Sequence, residues 1–419
     1  MTEHPLTSRA PIDVAVIGGG PAGLAAATAL KEAGIGRVVV LEREPQAGGI
    51  PRHCGHPPFG MREFRRILRG PVYAARLVAR AERAGVEIHT LTTVAGIRPG
   101  GNLLVALPEG LIELTARRVI YATGVRERPR SARLIAGARA GGILNTGALQ
   151  SMVYLKNRRP FRRPVIIGSE LVAFSAIMTS RHAGIRPVAM IEAAPRVTAR
   201  WPAALYPRLA GVRLLTGTRL LEIRGDTRVT GVSVAGPDGQ KREIACDGVV
   251  LSGQFTPEAS LARLGHLALD PGTGGPVVDQ WGRCSDPAFF ATGNLLRPVE
   301  TAGWSWAEGR RCGQWVAEDI AGRLPAPAAF LDVEIGDPRL KYVMPQRIAL
   351  PQGAEGMAAL QLRVTEPVRG ELRALNESGI LWRRKIHALP ERRLLVPLAE
   401  IGLPDTAGTI RFEIGEARA

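Results

Sequence analysis

A glycine-rich segment that follows an apolar run is the strongest chemical signal in the sequence. Gly18, Gly20 and Gly23 come directly after the run Ile12–Ile17 and have the spacing Gly-x-Gly-x-x-Gly. In this pattern the first glycine permits a tight turn, the second lets the backbone approach a pyrophosphate, and the third lets a helix pack close to a strand. Glu42, at the end of the next apolar run, supplies a carboxylate for a ribose diol. We interpret the segment as a dinucleotide site.

The elements that must position these residues are also visible in the sequence. Ile12–Ile17 predicts a strand that is buried on both faces, and Val38–Leu41 predicts a second one. Leu24, Ala27 and Leu30 recur at helical spacing between them. The N-terminus of such a helix offers free N–H groups and a partial positive charge to phosphates. A nucleotide-free strand–helix–strand unit is the weaker alternative.

Residues 45–70 hold the residues most suited to redox chemistry. Gly48 and Gly49 allow a second close backbone approach to a cofactor, and His53, Cys54 and His56 then follow within four residues. A metal site lacks further ligands here, and a redox disulfide lacks a second nearby cysteine. Two interpretations remain open: a polar patch facing a cofactor ring, with Cys54 as a reactive thiol, or a loop in which Cys54 is simply buried. An imidazole from either histidine would exchange protons near neutral pH.

The elements after residue 70 end in a second segment that is predicted to contact the cofactor. Residues 71–84 predict an amphipathic helix in which Val72, Ala75, Leu77 and Val78 are apolar among arginines. Residues 86–90 predict a strand, followed by a hairpin-like stretch to residue 115. A strand then ends in the small residues Ala122, Thr123 and Gly124, which let the backbone lie against a cofactor.

Residues 164–192 repeat the plan of strand, turn, helix, strand and terminal acid. Gly168 is retained, but Glu170 stands where Gly20 stands in the first copy, and Ala173 replaces the third glycine. A carboxylate at this position repels a pyrophosphate, and its side chain takes up space. We therefore expect the second copy to be a scaffold rather than an ordinary nicotinamide site.

The C-terminal third contains a third segment with small residues after a strand, and then a region that is mainly β structure. Residues 287–294 predict a strand and a small turn at Gly293 and Asn294, followed by a helix that begins near 300–304 and runs to Ile320. Asn294 can hydrogen-bond a polyol or a phosphate. After a linker at 323–329, apolar residues alternate with polar ones, which predicts half-buried antiparallel strands. The alternating residues are Leu360, Leu362, Val364, Leu394, Val396, Leu398, Ile410, Phe412 and Ile414.

Composition excludes several classes of protein. The formal net charge is +17, but only five of the cations are lysines, and the arginines occur along the chain without interleaved aromatics. We interpret this mainly as an arginine-biased composition, with acidic partners as a minor alternative and nucleic acid as the least favoured one. No apolar run is long enough to span a membrane, and the first eleven residues lack the apolar core of a secretory signal. Four widely spaced cysteines suggest a reduced, cytoplasmic chain with no bound metal.

Together these motifs resemble the two-dinucleotide-domain flavoproteins of the pyridine nucleotide-disulfide oxidoreductase fold. The resemblance covers roughly residues 12–322 and implies an oxidoreductase with FAD as its cofactor. It implies that FAD contacts the residues of the three glycine-containing segments and the acid after the second strand. The implied contacts are Gly18, Gly20, Pro21, Ala22, Gly23, Glu42, Arg43, Gly49, Val94, Ala122, Thr123, Gly124, Gly293 and Asn294. His53, Cys54 and His56 are the candidate catalytic residues.

The segments around Cys54 and Asn294 narrow the resemblance to the FAD-binding alpha-type subunits of hydrogen cyanide synthase and of opine and hydroxyproline dehydrogenases. Disulfide reductases of the fold need a second cysteine near Cys54, and Phe59 stands at that spacing. The fold's motif has an aspartate where Asn294 stands. Many alpha-type relatives carry a cysteine-rich iron–sulfur module, which this C-terminal region lacks.

The function that we expect is therefore an electron-relaying, FAD-dependent subunit of an amine, amino-acid or opine dehydrogenase complex. Its partners would be a small iron–sulfur protein and an oxidase-like flavoprotein subunit. The alternatives are a self-contained NAD(P)H-dependent flavoprotein reductase and a structural subunit that holds a nucleotide without catalysis of its own.

The expected fold is α/β, with two Rossmann-like domains, the second inserted in the first, and a small β-rich C-terminal domain. The expected boundaries are 1–158 with 286–325 for the FAD-binding domain, 159–285 for the second domain, and 330–419 for the β-rich domain.

Overall fold

A computed structural model describes residues 6, 11–199, 202–352 and 355–416. The expectation that the first eleven residues carry no secretory signal falls almost entirely outside this part of the chain. None of the helices in the described part is long and apolar enough to cross a membrane.

The strands of the described residues are two to twelve residues long and belong to six sheets. In chain order they are β1 Ile12–Ile17, β2 Val38–Leu41, β3 Glu87–His89, β4 Thr93–Arg98, β5 Asn102–Leu107, β6 Gly110–Tyr121, β7 Val125–Glu127, β8 Ala136–Gly137, β9 Ile143–Asn145, β10 Pro164–Ile167, β11 Ala189–Ile191, β12 Arg213–Leu215, β13 Arg219–Gly225, β14 Val229–Ala235, β15 Lys241–Ala245, β16 Gly248–Leu251, β17 Phe255–Pro257, β18 Phe289–Ala291, β19 Ala329–Ile335, β20 Leu340–Met344, β21 Arg347–Leu350, β22 Ala359–Val364, β23 Val368–Asn376, β24 Gly379–Ala388, β25 Leu394–Pro397 and β26 Gly408–Gly415.

The α-helices of the same residues are α1 Pro21–Glu32, α2 Met61–Phe64, α3 Gly70–Arg83, α4 Thr146–Gln150, α5 Leu171–His182, α6 Tyr206–Leu209, α7 Ser260–Leu264 and α8 Ala302–Ile320. Short 3₁₀ turns occur at Ile50–His53, Ser131–Arg133, Ala203–Leu205, Gly293–Leu295 and Leu398–Glu400, and a π-helical turn occurs at Ser151–Leu155.

The chain divides into two compact units, which we describe separately. The first unit comprises residues 1–49, 74–125 and 257–419, and the second comprises residues 50–73 and 126–256. The boundaries that we expected from the sequence stay a prediction.

The first unit is built on a parallel sheet with the strand order β3-β2-β1-β6-β18. The residues of β2 are all buried and those of β1 nearly so, because helices and loops cover both faces of a parallel sheet. β6 also continues into an antiparallel hairpin with β5 and β4. The β-rich region of the unit has a five-stranded sheet β21-β19-β26-β23-β24 and a three-stranded sheet β20-β22-β25 around its own apolar core.

The second unit repeats the parallel plan as β12-β11-β10-β16-β9 and adds a four-stranded sheet β15-β14-β13-β8. In the first sheet the fifth strand, β18, comes after the whole second unit in the chain. In the second sheet the fifth strand, β9, comes before the first strand of its repeat, β10. The predicted fold class is therefore confirmed: two Rossmann-like domains, with the second inserted between β6 and β18, and a β-rich C-terminal region.

Two local predictions are wrong in detail. The predicted helix at 71–84 exists as α3, but Val72 is 47% exposed and the buried stripe runs through Tyr73, Ala74, Leu77 and Ala81. That stripe follows helical spacing, and Val72 lies outside it. Leu398 is not in a strand, because β25 ends at Pro397 and the chain turns there.

Candidate functional site

The turn between β1 and α1 has the backbone geometry that the glycine spacing predicts. Gly18 has a φ of +105°, and a side chain there would stand 2.7 Å from the carbonyl oxygen of Ala122. A Cβ on Gly23 would stand 2.0 Å from the carbonyl oxygen of Gly18, so the helix can approach the strand only with glycine at this position. The first and third glycines therefore shape the turn itself.

Gly20 is different, because it faces open space. It is the N-cap residue of α1 in extended conformation, and no side chain caps the helix. A Cβ built on Gly20 would meet nothing nearer than the Cα of Gly49, at 3.9 Å. The first turn of α1 contains no acidic residue and has Pro21 at its start. The N–H groups of this turn and the helix dipole therefore face a space that an anionic group can enter.

Gly48 and Gly49 form the second wall of this space. Gly48 donates its N–H to the carbonyl oxygen of Gly19 at 2.7 Å, and Gly49 has a φ of +62°. A Cβ on Gly49 would stand 2.8 Å from the Cα of Gly20, so the two backbones approach closely here, and the approach of Gly49 to a cofactor stays a prediction.

The acid at the end of β2 is held by the backbone. Glu42 is buried and accepts hydrogen bonds from the N–H of Gly19 at 2.8 Å and from the N–H of Glu44 at 2.9 Å. These two bonds fix the carboxylate beside the glycine turn. Arg43 is exposed, and Val94 is buried on β4.

The small residues after β6 form the next edge of the space. Thr123 donates its hydroxyl to the carbonyl oxygen of Glu258 at 2.8 Å, and Glu258 donates its own N–H to the carbonyl oxygen of Gly124 at 2.9 Å. Gly124 has a φ of +73°, and a Cβ on it would have nothing within 4 Å. Ala122 is buried and donates its N–H to the carbonyl oxygen of Ile17.

The third segment meets α1 directly. Gly293 has a φ of +71°, and a Cβ there would stand 2.7 Å from the Cβ of Ala22. Asn294 has a role that the sequence did not predict: its amide accepts from the N–H of Glu300 at 2.7 Å and donates to the carbonyl oxygen of Glu300 at 3.0 Å. The side chain thus closes the loop that leads into α8, with one amide hydrogen left for another partner.

The packing of α1 against α8 holds these segments together. A Cβ on Gly309 would stand 2.1 Å from the carbonyl oxygen of Ala22, and a Cβ on Gly313 would stand 2.4 Å from that of Ala26. The two helix backbones therefore touch through glycine. This contact fixes the N-terminus of α1 relative to the segment that follows β18.

His53, Cys54 and His56 belong to the second unit, whereas all fourteen predicted cofactor contacts belong to the first. The Cys54 sulfur lies 3.5 Å from the side-chain oxygen of Gln150, and burial raises the pKa of the thiol to about 12. The His56 ring lies 3.0 Å from the carbonyl oxygen of Pro57 and 3.4 Å from the Gln150 amide nitrogen, and burial lowers its pKa. His53 is partly buried at the end of a 3₁₀ turn. A thiol with this pKa is protonated at neutral pH, which favours packing over nucleophilic reactivity.

The remaining cysteines are buried and unbridged as well. Within the described ranges, no three His, Cys, Asp or Glu side chains are grouped so that they could hold a metal ion.

The second glycine turn, between β10 and α5, contains a carboxylate where the first has open space. Glu170 is the N-cap residue of α5, in the same extended conformation as Gly20. Its carboxylate lies against Gly253, where an added Cβ would stand 2.0 Å from Oε1, and near Gly168, where an added Cβ would stand 3.0 Å from Oε2. The side chain thus fills the space between the ends of β10 and β16.

Burial and the charges around Glu170 raise its pKa. Burial, and next the negative charge of Glu192, raise the pKa of Glu170 to about 7. Arg133 opposes this rise, and it donates to the carbonyl oxygens of Ser252 and Gly253 at 2.8 and 2.6 Å. Glu127 accepts from Gly253 N–H at 3.2 Å, and burial raises its pKa too. This buried carboxyl cluster does not resemble an anion site.

The acid after β11 is also engaged by the protein. Glu192 is buried and accepts hydrogen bonds from the hydroxyls of Ser169 and Thr198 and from the N–H of Ala194. Thr198 donates its own N–H to the Ser169 hydroxyl at 2.9 Å, which brings the segment after β11 onto the turn. Glu42, its counterpart in the first repeat, accepts from backbone N–H groups instead.

Sequence reasoning identified Glu170 but missed the residues around it. Arg133, Glu127 and Thr198 carried no motif, because their roles arise from contacts between segments far apart in the chain. Glu258 was missed for the same reason. A signal was available only for Ser169, which stands within the turn itself.

Known proteins share the motifs of this chain. A family model described as pyridine nucleotide-disulphide oxidoreductase matches residues 12–309, which is more than half of the chain. The chain belongs to this family. It is an FAD-dependent oxidoreductase, and the two Rossmann-like domains and the open glycine turn of the first repeat agree with this assignment.

Two curated relatives and one solved structure extend the comparison. The chain is 27% identical to an opine oxidase subunit of Agrobacterium tumefaciens (strain Ach5), over 77% of this chain and 66% of that protein. It is 28% identical to the alpha subunit of sarcosine oxidase from Corynebacterium sp. (strain P-1), over 62% of this chain and 28% of that protein. Thioredoxin reductase of T. acidophilum superposes with a TM-score of 0.63 at 22% identity, covering 75% of this chain and 100% of that one. The chain spans less than two thirds of the length of the three opine oxidase subunits that it matches.

The residues of the first repeat fit FAD. The uncapped turn at Gly20 accommodates a pyrophosphate, the fixed carboxylate of Glu42 suits a ribose diol, and the open surface at Gly124 allows close approach of a ring system.

Proposed function

We propose that this oxidoreductase is the alpha-type subunit of a complex that oxidises a C–N bond in an amine, amino acid or opine. The observation that carries the proposal is the contrast between its two nucleotide sites. The first glycine turn is open, whereas Glu170 fills the second and the hydroxyls of Ser169 and Thr198 engage Glu192. A chain of this kind would receive electrons at its flavin from a partner rather than from a nicotinamide. The names of the opine oxidase and sarcosine oxidase relatives support this direction.

FAD would supply the redox chemistry here, because a bound flavin can accept two electrons and release them singly. We propose that the fourteen residues named above hold it, with the N-terminus of α1 on the pyrophosphate and Glu42 on the adenosine ribose. We propose that His53 or His56 exchanges protons with solvent during the redox reaction. The buried thiol of Cys54 supports a packing role for that residue.

The proposal is tested by mixing the purified, FAD-loaded protein with NADH or NADPH under anaerobic conditions. We expect the absorbance of oxidised flavin to persist with either nucleotide. Rapid bleaching by the wild-type protein would establish the self-contained reductase instead. The variant Glu170→Gly removes the carboxylate from the second turn, and weak nicotinamide binding by this variant alone would show that Glu170 closes the site.

A second measurement concerns the released nucleotide and the partners. Mass spectrometry of the nucleotide that is released on denaturation distinguishes FAD from ATP or another nucleotide that is held only for structure. Purification of the tagged chain from its own cells should yield a small iron–sulfur protein together with an oxidase-like flavoprotein subunit, both in the cytoplasmic fraction. Isolation of the chain alone, with full activity toward an amine, would contradict the proposed complex.

A further inference from the structure

The net charge of the molecule is confined to one of its two units. Residues 50–73 and 126–256 contain 26 Lys and Arg against nine Asp and Glu, a net charge of +17. The rest of the chain contains 29 residues of each sign and is formally neutral. A general bias toward arginine would charge both units in proportion to their length. The concentration of net charge in one unit differs from the general arginine bias that we inferred from the sequence. It indicates that the charge has a local function.

Within the second unit the positive charge is densest where the chain leaves the π-helical turn at Ser151–Leu155. No acidic residue occurs from residue 128 to residue 169, a segment with nine cations. Five of these cations are exposed within eight residues, namely Lys156, Arg158, Arg159, Arg162 and Arg163.

Part of this segment borders a concave surface. Arg158, Arg159 and Arg228 line a cavity of about 460 Å³ whose other walls include Leu144 and Met152. Arg228 also donates to the carbonyl oxygen of Pro160 at 2.9 Å, which holds its guanidinium group at the rim. Because the cavity is rimmed by guanidinium groups and has apolar walls, it suits an apolar side chain that is flanked by carboxylates.

A second cavity belongs to the same unit. It measures about 550 Å³ and is lined by Arg163, Arg186 and Arg213, with Glu243 as its acidic member. Arg186 donates its N–H to the carbonyl oxygen of Arg162 at 2.8 Å, which joins this region to the 156–163 segment. We call residues 156–163 with Arg186, Arg213 and Arg228 the basic surface.

We propose that the basic surface binds an acidic protein, with an apolar side chain of that protein in the cavity at Arg158 and Arg159. Arginine forms two parallel hydrogen bonds to a carboxylate, and four of the five clustered cations are arginines. Proteins that bind single-stranded nucleic acid combine a basic groove with aromatic side chains on which the bases stack, and among the described residues that line the cavity none is aromatic. We identify this acidic protein with the electron-transfer partner of the complex. That identification rests on the proposed function, whereas the binding itself does not.

The test uses the FAD-loaded full chain and three fluorescent probes of equal charge. Two probes are glutamate-rich peptides that differ only at a central residue, leucine or glycine, and the third is a short single-stranded DNA. Binding is measured by anisotropy at about 0.02 M and about 0.2 M NaCl, where the Debye length falls from roughly 20 Å to roughly 7 Å. We expect the leucine peptide to bind most tightly and to lose about tenfold in affinity at the higher salt concentration.

The variants separate the basic surface from net charge. Arg158→Glu with Arg159→Glu should weaken binding of the leucine peptide at least about tenfold, with a smaller loss for the Gln pair. The control, Arg369→Glu with Arg383→Glu, makes the same change in net charge at exposed positions of β23 and β24 and should cost less than about threefold.

Three outcomes would overturn the proposal. The first is an equal loss of affinity for the leucine peptide in the Arg158→Glu, Arg159→Glu variant and in the control variant. The second is tighter binding of DNA than of either peptide, and the third is no binding of the peptides at low salt. None of them bears on flavin content or on the response to NADH, so a failure here is distinguishable from a failure of the proposed function.

Discussion

Replacing Glu170 by glutamine should change how the stability of the second unit depends on pH. Burial and the charge of Glu192 raise the pKa of Glu170 from 4.5 to about 7, with Arg133 opposing and Glu127 adding to the rise. Between these two pH values the native state keeps a proton that the unfolded chain has lost, so stability falls as pH rises through this range. The difference corresponds to about 3 kcal/mol as an upper value, since one pH unit is worth about 1.4 kcal/mol. Glutamine has the same shape and does not ionise.

We therefore expect Glu170→Gln to match the wild-type protein near pH 4.5 and to be more stable, by up to about 3 kcal/mol, at pH 8. Urea denaturation at several pH values measures the free energy of unfolding, and hydrogen exchange of peptides from α5 assigns the effect to the second unit. The control is Glu222→Gln, which removes one exposed carboxylate from β13 in the same unit. An unchanged pH slope in Glu170→Gln would refute the assignment of a buried, late-ionising carboxyl group to this turn.

Three further predictions concern the first repeat, the helix contact and the thiols. Glu42→Gln should lower FAD affinity about tenfold or more, because hydrogen bonds to a charged group are worth about 1.5–3 kcal/mol, and flavin retained after dialysis measures this. Gly309→Ala should destabilise the protein by about 1–3 kcal/mol, since its Cβ would stand 2.1 Å from the Ala22 carbonyl oxygen. Thermal unfolding measures this loss. The control is Gly402→Ala, which should have little effect because a Cβ on Gly402 would have nothing within 4 Å. All four cysteines are buried, so none should react with a thiol reagent at pH 8 until the protein is denatured. Rapid labelling of native Cys54, whose pKa burial raises to about 12, would contradict that assignment.

Local pattern was sufficient for the elements of both repeats. The strand at Val38–Leu41 was predicted at its observed bounds. The last long helix was predicted to begin between residues 300 and 304 and to end at Ile320, and α8 begins at Ala302 and ends at Ile320. Such predictions succeed because buried parallel strands and glycine turns place strong demands on a few adjacent residues. Val72 was misplaced, because periodicity alone does not decide which side of a helix is covered when apolar residues lie on more than one side.

The sequence by itself determined the fold class and the loss of the second glycine motif, because both depend on residue types at short spacing, and FAD followed from the resemblance of these motifs to a known family. Only the tertiary structure decided how the second turn is closed, since Arg133, Gly253 and Glu192 reach Glu170 from segments that are distant in the chain. It likewise decided that Asn294 closes a loop on Glu300 and that the net charge gathers on one unit. Hydrogen bonds and electrostatic fields act through space, and spacing along a chain does not encode them.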